Sequence, residues 1–142
     1  MKQNHADEAA GLMHAGGMRI TQSRTDILGF LIDAGHPLSH AEIQKAIPGA
    51  DRVTLYRTLA RFAEKEIIHQ VAGPDGAWRF CAHPPDRKGC PGNHPHFLCT
   101  SCGEMICLTG QNLPRVDVPG GFEVKGKQFV VYGRCPACAS ES

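Results

Sequence analysis

Residues 51–66 read DRVTLYRTLARFAEKE, and this stretch decides how the first half of the chain folds. Asp51 is a typical helix N-cap, and no glycine or proline follows it before residue 66. Apolar side chains recur at helical spacing and form one face: Leu55, Leu59, Phe62 and Ala63. Thr54, Arg57 and Arg61 lie on the opposite face. The stretch therefore predicts an amphipathic helix with a polar side turned away from the core.

Two helices are predicted before this one. Thr21 can cap the first, whose apolar positions are Ile27, Leu28, Leu31 and Ile32, and residues 35–37 (Gly-His-Pro) end it. Residues 39–42 (Ser-His-Ala-Glu) form a capping-box pattern that starts a short helix, which stops at Pro48-Gly49. A short helix, a tight turn and a longer two-faced helix predict a helix-turn-helix.

A hairpin follows the helices. Residues 67–71 and 77–81 read as strands, and the turn-rich residues 72–76 join them, which indicates a winged helix. Residues 83–93 are rich in proline, glycine and charge, as in a linker or hinge. We therefore expect an α+β chain with a winged-helix DNA-binding domain (1–82), a linker (83–93) and a small C-terminal α/β domain (94–142). Strand signals in that last domain lie at 96–98, 105–108 and 128–132.

All seven cysteines lie from Cys81 onward, and four of them form two Cys-x-x-Cys pairs: Cys99, Cys102, Cys135 and Cys138. This spacing lets both thiolates of a pair reach one ion, so the two pairs predict a tetrahedral zinc site. The 32 residues from 103 to 134 exceed a zinc-finger spacing, so the ion would hold together distant parts of the small domain. The rival interpretation is a redox dithiol, which would require a cysteine at a helix N-terminus beside a βαβ pattern.

A second group of possible ligands remains: Cys81, Cys90, Cys107, His69, His83, His94 and His96. His94 and His96 are two residues apart, so in extended chain both imidazoles project from one face. An isolated histidine is more often an ordinary surface or core residue, but here several stand near thiols. A mixed set of sulfur and nitrogen donors favours zinc over iron or manganese.

Composition excludes some classes of protein and leaves others open. The net charge of +1 carries no general signature for nucleic acid or for an anionic membrane, so a case for DNA must rest on local arrangement. No apolar run approaches the roughly 20 residues that a membrane span needs. We expect a cytoplasmic protein with no membrane partner.

The chain resembles the ferric uptake regulator (Fur) family of metal-dependent repressors. Four segments carry the resemblance: residues 19–24 (RITQSR), 52–59 (RVTLYRTL), His94-x-His96-x-x-Cys99-x-x-Cys102-Gly103, and Tyr132-Gly133-x-Cys135-x-x-Cys138. It implies a winged helix, a dimerisation domain that holds the four-cysteine zinc, and a sensory metal near the hinge. The matching hinge positions are Cys81 on the wing, His94 or His96, and Cys107.

Cys81 stands where iron-sensing members usually have a carboxylate, and His69 matches a histidine of some zinc-sensing (Zur) members, so the chain is most similar to Zur. The resemblance implies two Zn²⁺ per subunit: a structural ion at the four cysteines, and a regulatory ion held by a set drawn from His69, Cys81, His94, His96 and Cys107. Asp or Glu is common at the position of Cys107, which leaves its membership open. A further metal site found in some members is expected to be missing, because Asn93, Pro95 and Lys127 replace its ligands.

The predicted function is zinc-dependent repression of zinc-uptake genes by a homodimer on a palindromic double-stranded operator. The expected DNA contacts are Arg19, Arg24, Arg52, Thr54, Tyr56, Arg57 and Arg61. A solvated helix face is the alternative for these arginines. The alternative function is an iron or peroxide sensor of the same family. An enzyme is not expected, since no general base accompanies the metal motifs.

Overall fold

The computed structural model describes residues 2–82, 94–108, 110–125 and 127–140, and it is a mixed α+β structure in two parts. The N-terminal part has the order α1, α2, β1, α3, α4, β2, β3: Lys2–Ala15, Gln22–Ala34, Leu38–Ser39, His40–Ala46, Arg52–Glu64, Ile68–Ala72 and Trp78–Ala82. The C-terminal part has β4, β5, β6 and α5: His96–Cys99, Met105–Cys107, Val130–Gly133 and Pro136–Ala139. This agrees with the predicted fold class.

The three helix starts predicted from capping residues are confirmed. The Thr21 side chain accepts a hydrogen bond from the backbone N–H of Arg24. Ser39 and Glu42 form both halves of the predicted capping box. Asp51 accepts the N–H of Thr54 at 3.1 Å. Local side-chain chemistry therefore sets the starts of α2, α3 and α4.

The core of the N-terminal part is formed by the helices and the wing. The predicted apolar positions of α2 and α4 are buried: Ile27, Leu28, Leu31, Ile32, Leu55, Leu59 and Phe62. Ala63 is only partly buried and packs against this core. Helix α1 adds Ala9, Leu12 and Met13. No separate helix was predicted for residues 2–15. These residues include few large apolar side chains and no capping residue like those of the later helices.

The wing is an antiparallel sheet with the strand order β1-β3-β2. The two predicted strands are present, each displaced by one residue toward the C-terminus. Gly76 has a φ of 83° in the turn between them, a conformation that glycine adopts at little cost. His69 and Cys81 are Cα partners across β2 and β3. The wing therefore carries both residues on neighbouring strands.

The C-terminal sheet has the order β5-β4-β6, with β4 antiparallel to β5 and parallel to β6. All three predicted strands are present, although β6 begins at Val130 rather than at 128. The short helix α5 and strand β1 were not predicted. Because β4 and β6 run parallel, Cys99 at the end of β4 faces Gly133 at the end of β6. This pairing brings together two segments that are distant in sequence.

A small second core joins the wing to the C-terminal sheet. Val71 of β2 packs with Leu98 and Met105, and all three are fully or almost fully buried. The predicted linker 83–93, with His83 and Cys90, lies outside the described residues. None of the helices in the described ranges is long and apolar enough to cross a membrane.

Candidate metal centres

The four predicted zinc cysteines meet at one end of the C-terminal sheet. Cys99 ends β4, and Cys102 follows it in a tight turn. Cys135 is the N-cap residue of α5, and Cys138 lies within that helix. The backbone N–H and the hydroxyl of Thr100 both donate to the carbonyl of Gly133. Gly103 closes the first turn with a φ of 82°. The backbone thus fixes one cysteine pair against the other.

The spacing of the sulfur atoms fits a tetrahedral ion. All four Sγ atoms lie within 4.8 Å of one another, and Cys102 and Cys135 Sγ are 3.9 Å apart. Zinc–sulfur bonds of about 2.3 Å place the corners of a tetrahedron roughly 3.8 Å apart. These cysteines could therefore hold one zinc ion with little rearrangement.

Hydrogen bonds make Cys99 the cysteine most ready to bind metal. Its buried sulfur accepts the backbone N–H groups of Cys102 at 3.4 Å and Cys135 at 3.3 Å. These bonds lower the pKa of the Cys99 thiol to about 6. Its thiolate is therefore the dominant form at neutral pH, and thiolate is the form that binds zinc.

The redox-dithiol interpretation meets one of its two requirements. Cys135 is the N-cap residue of α5, a position that often activates a cysteine. However, α5 has only four residues and no βαβ unit surrounds it. Hydrogen bonding with the sulfurs of Cys135 and Cys99 raises the pKa of Cys138 to about 12.

A second group of possible ligands lies where the wing meets the C-terminal sheet, and we call it the hinge cluster: His69, Cys81, His94, His96 and Cys107. Donor atoms of His94, His96 and Cys107 all lie within 4.8 Å of one another. Cys107 is the Cα partner of His96 across β4 and β5, which explains how it reaches the histidine pair. The structure thus brings together both histidines and the cysteine whose membership was left open.

Burial of the histidines supports a ligand at the hinge cluster. His94 and His96 are 4% and 1% exposed, and their rings are 4.7 Å apart. Neither ring nitrogen of His94 has a hydrogen-bond partner among the described residues. Buried polar atoms usually have a partner, because burying them without one costs free energy. A metal ion bound to one of the two ring nitrogens would give that nitrogen a partner.

The wing side of the hinge cluster is less tightly gathered. The ring of His69 lies 6.2 Å from that of His96. Cys81 is buried on β3, and its thiol lies 3.8 Å from the carbonyl of Ala82. Within the described part of the chain, neither residue joins a group of three donors within 4.8 Å. Metal binding by His69 or Cys81 therefore stays a prediction.

All but one of the residues predicted to contact DNA are exposed: Arg19, Arg52, Thr54, Tyr56, Arg57 and Arg61. Three of the predicted side chains already have partners within the protein. Arg24, half-buried, donates to the carbonyl of Arg19, and the Thr54 hydroxyl donates to Asp51. Arg61 pairs with Glu64 at 3.5 Å. None of these contacts involves Arg57, which is exposed.

His40 lies beside Tyr56 and was not predicted from the sequence to contribute to a site. Its ring stacks on Tyr56 with 3.9 Å between centroids, and burial lowers its pKa. The stack lines a cleft of about 510 Å³ that also contains the exposed ring of Trp78. His40 lies 16 residues before Tyr56, so helical spacing gave no signal for the contact.

Comparisons with known proteins agree on one family. The model of the ferric uptake regulator family matches residues 15–118. The peroxide operon regulator of Bacillus subtilis (strain 168) is 27% identical over 150 residues, covering 99% of this chain and 98% of that protein. A zinc uptake regulator solved with zinc and DNA is similar with a TM-score of 0.65, at 19% identity, over 99% of this chain and 97% of the other. Holo XcZur is similar with a TM-score of 0.54, at 25% identity, over 87% and 89%.

Proposed function

This chain belongs to the ferric uptake regulator family, and on that premise we propose that it is a zinc-responsive repressor of zinc-uptake genes. Members of the family are metal-dependent transcriptional regulators rather than enzymes. The proposed form is a cytoplasmic homodimer on palindromic double-stranded DNA, with two zinc ions per subunit. Residues 1–82 would bind DNA, residues 83–93 would form the hinge, and residues 94–142 would hold the dimer together.

The observation that carries the choice of zinc is the set of donors in the hinge cluster. Thiols occupy two of its positions, Cys81 and Cys107, and the remaining donors are imidazoles. The gathered group of His94, His96 and Cys107 contains no carboxylate. Thiolate and imidazole donors suit tetrahedral zinc, whereas carboxylates and additional nitrogens suit iron and manganese. Three of the cluster's donors are already close, and a wing residue would complete four.

The position of the hinge cluster suggests how zinc would control DNA binding. A bound ion supplies a strong tetrahedral link between its donors. His69 and Cys81 belong to the wing, whereas His96 and Cys107 belong to the C-terminal sheet. Ligation from both sides would favour one orientation of the winged helix relative to the dimerisation domain, and so shift the population toward the DNA-binding form.

The four-cysteine site is proposed to be structural. Its sulfurs lie at the ends of β4 and β6 and in α5, away from the wing residues of the hinge cluster. The apolar core of the C-terminal part is small and is shared with Val71 of the wing, so a tightly held ion would add the stability that packing does not supply. Zinc there is expected to resist chelators that empty the hinge cluster.

An unpartnered apolar stripe supports the homodimer. Phe97 on β4 is the Cα partner of both Ile106 on β5 and Val131 on β6, so these three side chains lie in one row on one face of the sheet. Ile106 and Val131 are each 41% exposed. Residues 116–124 carry further exposed apolar side chains: Val116, Val118, Phe122 and Val124. We propose that a second copy of the chain covers this surface.

Within such a dimer, α4 of each subunit would enter a major groove. Arg57 and Arg61 would reach phosphates or base edges, and Tyr56 could contact a thymine methyl group. Arg19, Arg24 and Arg52 would contribute phosphate contacts. The two helices would then read two half-sites of a palindrome.

A peroxide sensor is the second candidate, because relatives from Bacillus subtilis and Staphylococcus epidermidis are peroxide-responsive regulators at 27% and 26% identity. Such a function requires a redox-active metal or reactive thiols at the hinge cluster. The two thiols are compatible with that chemistry. The same thiols also favour zinc, so the identity of the bound metal distinguishes a zinc-responsive repressor from a peroxide sensor.

The test is a selection of DNA duplexes from a random pool, carried out in parallel with zinc and with iron(II) under anaerobic conditions. We expect a palindrome to be enriched with zinc. Zinc should strengthen its binding by roughly 1,000-fold or more, as specific binding exceeds non-specific binding. Peroxide should leave the zinc complex unchanged. Enrichment with iron only, with release by peroxide, would establish the second candidate instead.

A further inference from the structure

Arg79 bridges the wing and the first cysteine pair. It lies on β3, is only 3% exposed, and is charged, so its burial requires specific partners. Its guanidinium donates to both carboxylate oxygens of Asp75 in the wing turn, at 3.1 and 2.8 Å. It also donates to the carbonyl of Gly103 at 3.1 Å. One side chain therefore contacts two segments that belong to different parts of the molecule.

The Gly103 carbonyl is part of the turn that the four-cysteine site would hold. The N–H of Gly103 donates to the carbonyl of Cys99 at 2.8 Å, and Gly103 directly follows Cys102. Its positive φ sets the direction of the carbonyl that Arg79 meets. The geometry of this acceptor therefore depends on the turn between two proposed zinc ligands.

The wing end of the bridge is equally constrained. Asp75 also accepts the N–H of Ala77, which fixes the carboxylate that faces Arg79. A Cβ on Gly73 would lie 2.7 Å from Asp75 Oδ1 and 2.8 Å from Arg79 Nη1, so the turn closes around the ion pair without room for a side chain. Backbone bonds from Gly73 to Ala77 and from Gly76 to Gly73 complete the turn.

Two further contacts join the wing to the C-terminal part. The side-chain amide of Gln128 accepts the N–H of Ala72 at 3.3 Å and donates to its carbonyl at 3.4 Å. Val71 packs against Leu98 and Met105. The wing is thus attached to the C-terminal sheet along β2, and Arg79 is the charged contact that reaches the cysteine turn.

We propose that Arg79 couples the four-cysteine site to the wing, so that this site positions the DNA-binding domain as well as stabilising the C-terminal domain. With the cysteine turn held in place, the Gly103 carbonyl keeps Arg79 and Asp75 in register and orders the wing turn. Loss of the ion frees the turn, removes this acceptor and loosens residues 73–77. This inference rests on the proposed zinc at the four cysteines, and it adds a route of metal control that does not pass through the hinge cluster.

The experiment compares the wild-type chain with Arg79→Met and Arg79→Lys, after a chelator has removed the weaker ion and left one zinc per chain. Zinc release to a chromogenic chelator should be roughly tenfold faster in Arg79→Met, the effect of losing one hydrogen bond from a charged donor. Arg79→Lys keeps the charge but not the forked geometry, so its rate should be intermediate. Arg115→Met removes an exposed arginine that pairs with Asp117, and should release zinc at the wild-type rate.

Amide hydrogen exchange supplies the second measurement. In the wild-type chain, removal of the last zinc should speed exchange at the Gly73 and Gly76 amides, while α2 and α4 stay protected. In Arg79→Met these amides should exchange fast with or without zinc, and in Arg79→Lys their exchange should be intermediate. Wild-type release rates in both variants, or wing exchange in the wild-type chain that is insensitive to zinc, would overturn the coupling. A chain with no zinc at the four cysteines would instead overturn the proposed function, and metal analysis distinguishes that case.

Discussion

At the scale of single residues, the hinge cluster depends on donors that different strands bring together. His94 and His96 could be paired from sequence, because alternate residues of an extended segment share a face. Cys107 could not be assigned in this way, since its approach to His96 depends on the register of β4 and β5. His40 and Tyr56 are a similar case, because their stack depends on how α3 packs on α4. The sequence therefore predicted which types of donor the hinge cluster contains, and it left open which of these side chains lie close together.

Replacing Cys107 by serine tests its proposed role at this scale. Loss of a direct ligand should weaken zinc binding at the hinge cluster by at least about 100-fold, since even partners of ligands contribute 10- to 100-fold. Zinc should fall from two ions per chain to one, and the midpoint of zinc-dependent DNA binding should shift by the same factor. Fluorescence anisotropy on the selected duplex measures the shift.

Cys81→Ser is the companion variant, with the same expected loss of response and the same retained structural ion. Cys99→Ser should give the opposite pattern, losing the ion that resists chelators. If Cys107→Ser responded to zinc like the wild-type chain, Cys107 would be a partly buried thiol with no role in sensing.

At the scale of elements, predictability follows the range of the interactions involved. The starts of α2, α3 and α4 were predicted correctly, because each depends on a side chain and a backbone N–H only three residues apart. The two-residue strand β1 was missed, since it exists only through pairing with β3. The parallel pairing of β4 and β6 was also not visible, because about 30 residues separate the strands.

Asp51 offers a test of the local contribution to the stability of helix α4. Its carboxylate accepts both the N–H and the hydroxyl of Thr54, so Asp51→Ala leaves the first turn of α4 without its cap. We expect the free energy of unfolding to fall by about 1 kcal/mol. Urea denaturation at fixed zinc concentration, followed by fluorescence of the single tryptophan Trp78 in the same part of the molecule, measures it.

The matched control is Asp26→Ala, which removes an exposed aspartate from α2 that accepts only from the Gln22 side chain. Its effect should stay within about 0.5 kcal/mol. Equal losses in the two variants would mean that general charge effects, rather than the cap, determine the result.

At the scale of the whole molecule, both proposed metal sites lie where separate segments of the chain meet. The four-cysteine site joins the ends of β4 and β6 to α5, and the hinge cluster joins the wing to the C-terminal sheet. Each segment alone is short, and the apolar core between the two parts is small. Metal binding would therefore contribute much of the free energy that fixes the arrangement of the parts. An oligomer that pairs two such chains would set the distance between their α4 helices.

Val131→Asp tests whether the apolar row of Ile106, Phe97 and Val131 is the surface that pairs them. A charge in the centre of a buried interface would be left without a partner and should prevent association. Sedimentation equilibrium at micromolar concentration should therefore change from two chains to one. Binding to the palindromic duplex should weaken because two half-sites are no longer read together.

Ile20→Asp places the same charge on an exposed apolar residue of the N-terminal part, and should leave the mass unchanged. A Val131→Asp chain that stayed dimeric with intact zinc content would move the interface elsewhere, and the exposed segment with Val116 and Phe122 would be the next surface to test.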